Sequence, residues 1–221
     1  TGSGTSSVMR TILAQSLAHG ATVVILDRVR GTHGWAVGHP DVRQARSLDE
    51  IHAELVAARE ELDRRQEKAA TDILTARRLV IAIEKRAGLV DALQERWAEV
   101  RQDTDPETSP AVTALHALEW ASPMLGIHLV TSTHPGARMP AASVVPYNVR
   151  ILSARVGELA WPFFTGGRSR PLAAASGRRG EFWVLSGGTT VPLHALYLTD
   201  EESRHLVAAV IGAARQSWGA A

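Results

Sequence analysis

Thr1-Gly2-Ser3-Gly4-Thr5-Ser6-Ser7, continued directly by Val8-Met9-Arg10-Thr11-Ile12-Leu13-Ala14-Gln15-Ser16-Leu17-Ala18, is the stretch on which the reading of this chain turns. Glycines at 2 and 4 let the backbone curl until successive N–H groups converge, and a helix that begins there offers its positive end to an anion. Against the phosphate-loop pattern G-x-x-x-x-G-K-[ST], Gly4 is the last glycine, Thr5 stands where the lysine belongs, and Ser6 supplies the hydroxyl that would hold magnesium. The first glycine of the pattern, and the strand that delivers such a loop, would lie before residue 1. The chain is therefore expected to be N-terminally truncated, with that strand missing.

The same seven residues also have the composition of a flexible linker. The segment from Val8 to Leu26 favours the loop. Apolar side chains at 8, 9, 12, 13 and 17 have the spacing of a helix with one buried stripe. Gly20 supplies a stop, and Ala21-Thr22-Val23-Val24-Ile25-Leu26 is a β-branched run of strand length. Loop, helix and buried strand thus come in the order that a phosphate site requires.

The 221 residues are 45% hydrophobic and 21% charged, which suits one sizeable globular domain. Lys plus Arg number 24 against 23 Asp plus Glu, so no global basic field points to nucleic acid. Apolar runs fall well short of the about 18 residues that span a bilayer, and the zero cysteines exclude disulfides and thiol chemistry. Nine histidines are scattered without metal-ligand spacing, so no structural transition-metal site is expected.

Residues 27–44, rich in Gly, Pro, Arg and His, read as a loop. Ser47-Leu48-Asp49-Glu50 reads as a capping box, opening a helix with an apolar stripe at 48, 51, 55, 58 and 62. Arg78-Leu79-Val80-Ile81-Ala82-Ile83-Glu84 is a second buried strand ending in a carboxylate, with function expected at its end. Helices are expected over about 89–100 and 110–121, and a third strand over 127–133. Shorter strands come next over 149–156, 181–186 and 191–198, and a last helix over about 200–214. The alternation predicts an α/β fold with an open, mostly parallel sheet flanked by helices.

These stretches together resemble the FtsK/SpoIIIE-type DNA translocases, in particular the forms of actinobacterial conjugative elements. The resemblance is carried by Thr1-Gly2-Ser3-Gly4-x-Ser6, Val24-Ile25-Leu26-Asp27-Arg28, Asp49-x-Ile51-His52-x-x-Leu55 and Arg78 to Glu84. It continues through Ser109-Pro110-Ala111, Gly126 to Val130, Asn148 to Leu152 and Tyr197 to Glu202. It spans nearly the whole chain in order. It implies a RecA-like P-loop NTPase domain over residues 1–221, binding ATP and Mg2+. It further implies a homo-oligomeric ring around double-stranded DNA, located in the cytoplasm, with membrane attachment only through segments outside this chain. The absent strand is expected centrally, among the strands at 21–26, 78–84 and 126–132.

The resemblance assigns nucleotide binding to Gly2, Ser3, Gly4, Thr5, Ser6 and Ser7, and the metal to Ser6 and Glu84. Glu84, Lys85 and His134 take the catalytic positions, His134 where relatives often place a glutamine that senses the γ-phosphate. Arg150, Arg168 and Arg170 are candidates for contacting DNA or for acting in trans on a neighbouring subunit's nucleotide. Two departures matter. Thr5 brings no charge to the phosphates, where lysine contributes about 1.5–3 kcal/mol. Lys85 replaces the second acidic residue, and an ammonium does not activate water. Hydrolysis is expected to be impaired. A pseudo-ATPase interaction module and an unrelated P-loop phosphotransferase are the alternatives.

Overall fold

The computed structural model describes residues 4–29, 31–68, 72, 75–120, 123–133, 147–166, 171 and 180–218. Its centre is a four-stranded parallel sheet, with β1 (Thr22–Leu26), β2 (Val42–Ala45), β3 (Leu79–Ile83) and β4 (Ile127–Thr131) in the order β2-β1-β3-β4. β1 and β3 are apolar on both faces because helices cover both faces. Val24, Leu26, Ile81 and Ile83 point into one core layer and Val23, Ile25, Val80 and Ala82 into the other.

Helices α2 (Leu48–Gln66), α3 (Leu89–Val100) and α4 (Pro110–Trp120) supply the first layer through Ile51, Leu55, Leu62, Leu93 and Leu115. α1 (Thr5–Ala18) supplies the second through Met9, Leu13 and Leu17, joined by Val207 of α6 (Asp200–Trp218). The capping box is formed as read. Ser47 Oγ accepts the Glu50 N–H at 3.2 Å, and Glu50 Oε2 accepts the Ser47 N–H at 2.9 Å.

The structure differs from the sequence reading in four places. The 27–44 stretch is not all loop, because Val42–Ala45 adds to β1 as a parallel edge strand. Its short, half-polar pattern hides it: only Ala45 is buried. Helix α1 begins at Thr5 rather than Val8, so Ser6 and Ser7 belong to its first turn. The later strands do not extend the parallel sheet. Strands β5 (Val149–Ser153), β6 (Glu181–Ser186) and β7 (Thr189–His194) form a separate antiparallel sheet. Its β6–β7 hairpin turns on Gly187-Gly188, both at positive φ, a two-residue signal legible in the sequence.

The fourth difference concerns the expected absent strand. β1 pairs directly with β3 and β3 with β4, so no place is open among these three strands, and a further strand could join only at an outer edge. β4 is half-exposed along most of its length where β3 is buried throughout.

The second sheet has its own small core. Trp161, in the short helix α5 (Trp161–Thr165), meets Trp183 edge to face at 6.4 Å between ring centroids, beside Leu185 and Val156. That places Trp161 inside the protein. No described helix is long and apolar enough to cross a membrane.

Because Ile81 is fully buried in the middle of β3, Ile81→Ala should cost about 2–5 kcal/mol of stability, measured by urea denaturation.

Candidate functional site

Parallel pairing aligns the strand ends, so the residues just past β1, β3 and β4 come together at the sheet's C-terminal edge. These are Asp27, Glu84 and Ser132, and all three are buried. Asp27 is turned to its own loop, its Oδ1 accepting the Val29 N–H at 2.8 Å. Glu84 is the centre of the site. Its Oε2 accepts the Ser132 hydroxyl at 2.7 Å and its Oε1 lies 3.2 Å from His33 Nε2, while the Ser6 side chain is near enough to help lower its pKa.

Burial of the Glu84 carboxyl raises its pKa. The hydrogen bonds, from His33 first and then Ser132, outweigh that and leave it below the ordinary glutamate value. The group is therefore held ionised in the folded chain.

Ser132 does more than bind the carboxylate. Its N–H donates to Ile83 O, its Oγ accepts the Lys85 N–H at 2.8 Å, and its carbonyl accepts the Arg86 N–H at 2.9 Å. The turn after β3 is thereby stitched to the end of β4. A second anchor is Arg86, whose Nε donates to the largely buried Glu119 of α4 at 2.6 Å. Lys85 sits in that turn with φ 54°, a left-handed conformation uncommon for a lysine, and its side chain is exposed. Strand β3 ends at Ile83, so Glu84, expected as the strand's last residue, is instead the first of two turn residues, Glu84 buried and Lys85 in solvent.

The start of α1 has the form of an anion cradle. Gly4 adopts φ 81°, and the first helical bond runs from Val8 N–H to Gly4 O, so the amides of the first turn precede any intrahelical partner. The conformation calls for glycine, and space reinforces it: a Cβ on Gly4 would lie 3.3 Å from Cζ of Phe182 on β6. The second sheet thus borders the cradle. Ser6 belongs to both features, standing in the first turn of α1 and close to Glu84. A hydroxyl and a carboxylate are the hard oxygen donors that suit magnesium, and here the first turn of α1 brings one near the other.

The structure therefore brings together Gly4, Thr5, Ser6, Ser7 and Glu84. Gly2, Ser3, His134, Arg168 and Arg170 lie outside the described residues. Arg150 is on β5, where its Nη1 donates to Phe164 O at 2.7 Å and ties that strand to α5. Sequence reasoning missed His33 and Ser132. Ser132 sits just past the end of β4 and His33 in the loop that follows β1, both at the C-terminal edge of the sheet, and for Ser132 that position was the available signal.

No protein-family model matches the chain, and no curated protein matches it in sequence. Solved structures do match. The chain is similar to the monomeric pCW3 conjugation coupling protein TcpA with ATPgS, at TM-score 0.65 and 18% identity over 96% of this chain and 62% of that one. It is also similar to EssC (ATPases 2 and 3) from Geobacillus thermodenitrificans, at TM-score 0.66 and 13% identity over 96% of this chain and 42% of that one. A third is the cytoplasmic domain of the Thermomonospora curvata type VII secretion ATPase EccC, at TM-score 0.57 and 17% identity over 95% of this chain and 27% of that one. The chain spans less than two thirds of each. It has the fold of these ATPases, the fold expected from its resemblance to FtsK/SpoIIIE-type domains.

The geometry has two measurable consequences. A carboxylate held below its usual range stabilises the fold fully above the unfolded-state value of about 4.5, and that contribution is lost as pH falls through the lower folded value. The stability difference between the wild type and Glu84→Gln should therefore shrink on acidification below that range, read by urea denaturation at several pH values. Gly4→Ala should cost about 1–2 kcal/mol from the left-handed backbone alone, read by thermal melting.

Proposed function

We propose that this chain is the nucleotide-binding domain of an ATP-driven translocase of the FtsK/SpoIIIE type, able to bind Mg-ATP and impaired in hydrolysing it. The observation that carries the reading is the buried, ionised Glu84 at the sheet's C-terminal edge, held by His33 and Ser132 and sensing the Ser6 side chain. It stands at the end of the second buried strand, beside the first turn of a glycine-led helix.

In this reading the α1 N-terminus and Gly4 receive the phosphates, and Ser6 and Glu84 hold the cation. Magnesium bound there would supply positive charge between the β- and γ-phosphates. Ser132 and His33 keep the carboxylate charged and oriented from the sheet side. Thr5 leaves the phosphates without the ammonium that strengthens such loops, so binding is weak. Lys85 points an exposed ammonium into solvent where a base would be needed, so turnover is slow.

TcpA is described as a conjugation coupling protein and EccC as a secretion ATPase. Double-stranded DNA as cargo and a homo-oligomeric ring are our proposals, on the resemblance of the sequence to DNA translocases. A protein cargo is the competing reading, which the likeness to the secretion ATPase EccC favours.

Isothermal titration should detect ATP binding that requires Mg2+. Thr5→Lys should tighten it roughly 10- to 150-fold, the effect of about 1.5–3 kcal/mol from one charge-assisted contact. The double variant Thr5→Lys/Lys85→Glu should gain ATP turnover, stimulated by duplex DNA and steeply weakened by salt. Absence of Mg-dependent binding at millimolar ATP in both the wild type and Thr5→Lys would overturn the reading. Turnover in the double variant that is indifferent to DNA would favour a protein cargo.

A further inference from the structure

The loop after β1 carries a histidine that the phosphate-loop pattern does not assign. His33 is 3% exposed, and its imidazole lies between two polar partners at the core. Trp35 Nε1–H donates to His33 Nδ1 at 3.4 Å, which leaves Nε2 as the nitrogen that carries hydrogen and donates to Glu84 Oε1 at 3.2 Å. The backbone of the same residue is also fixed, its carbonyl accepting Gln44 Nε2–H from β2 at 3.1 Å. The preceding turn is held by Arg10 of α1. Arg10 reaches Thr32 O at 3.4 Å, Leu198 O at 2.8 Å and the Asp200 carboxylate at 3.0 Å.

Glu84 therefore has two buried donors, His33 and Ser132, with the Ser6 side chain nearby on the helix side. His33 and Ser132 are both almost fully buried, and they approach one carboxylate oxygen each. Ser6 belongs to the helix start that faces a phosphate group. Ser6 and Glu84 would hold a cation there, and the two buried donors, His33 and Ser132, would set the rotation of the carboxylate. Donors of this kind behind a metal ligand are commonly worth 10- to 100-fold in affinity. With no lysine at position 5, the one anionic ligand carries a larger share of the site's organisation.

We propose that His33 is a positioning residue for the metal-binding carboxylate, fixing Glu84 through Nε2–H so that its open lone pairs meet a divalent cation shared with Ser6. The proposal rests on the nucleotide-binding reading of the same site. Its distinguishing prediction is that the donor at Nε2 matters, and not merely a ring that fills space.

The test uses the full chain and three variants: His33→Gln, whose side-chain amide can present an N–H toward Glu84, His33→Phe, which fills much of the space without a donor, and Trp35→Phe, which removes only the donor to Nδ1. Mn2+ affinity is measured with ATPγS held constant, alongside nucleotide affinity in EDTA. His33→Phe should weaken cation binding about 10- to 100-fold with metal-free nucleotide binding unchanged, and His33→Gln should stay within about threefold of the wild type. Should His33→Phe fail to fold, Trp35→Phe serves, with an expected loss of roughly threefold to tenfold. In the nucleotide-free protein, 15N NMR of the imidazole should place the hydrogen on Nε2. Equal cation affinities in the wild type and the donorless variant overturn the inference while leaving the nucleotide reading standing, as does equal loss in His33→Gln and His33→Phe or a hydrogen found on Nδ1. No cation-dependent nucleotide binding in the wild type or in Thr5→Lys overturns the nucleotide reading itself, whatever the NMR shows.

Discussion

A single ionised carboxylate, buried at the end of the central strand β3, is the constraint around which the candidate site is arranged. A charge in that place is costly unless its hydrogen-bonding capacity is met by well-placed donors. Glu84 meets the condition by drawing donors from the end of β4 and the loop after β1, with the Ser6 side chain at the start of α1 further favouring its charged form. The need to satisfy one group therefore ties together segments that are far apart in sequence. The same arrangement leads from core packing to proposed chemistry, since the side chain from α1 carries the hydroxyl that would bind metal.

Ser132 shows how stability and function share atoms. Its backbone extends the β3–β4 pairing by one residue, its carbonyl and hydroxyl shape the turn at Lys85 and Arg86, and the same hydroxyl reaches Glu84. Lys85 is held in a left-handed conformation by these bonds. A residue with an exposed ammonium is thus presented where a second carboxylate would be expected, and the departure at that position does not disturb the carboxylate beside it.

The second sheet adds a boundary. Phe182 packs against Gly4, so the strand β6 limits both the backbone conformation and the volume at the helix start. Its Trp161–Trp183 core is separate from the two layers around the parallel sheet. The antiparallel unit therefore sits beside the cradle as a packed body rather than as a loose extension.

Much of this was legible in one dimension because it depends on local pattern. Two apolar strand runs, the helix stripe at 51, 55, 58 and 62, the Ser47–Glu50 box and the carboxylate closing the 78–84 run are all short-range signals, and each appears in the structure where the sequence placed it. The glycine-led helix start was likewise readable, though not its first residue. Tertiary structure alone decided strand order, the parallel addition of Val42–Ala45, and the separation of the later strands into their own sheet. It alone decided, too, which of nine histidines meets Glu84. The physical reason is that hydrogen-bond partners between strands, and donors to a buried charge, are selected by the register of segments well separated along the chain, and spacing along the chain carries no record of that register.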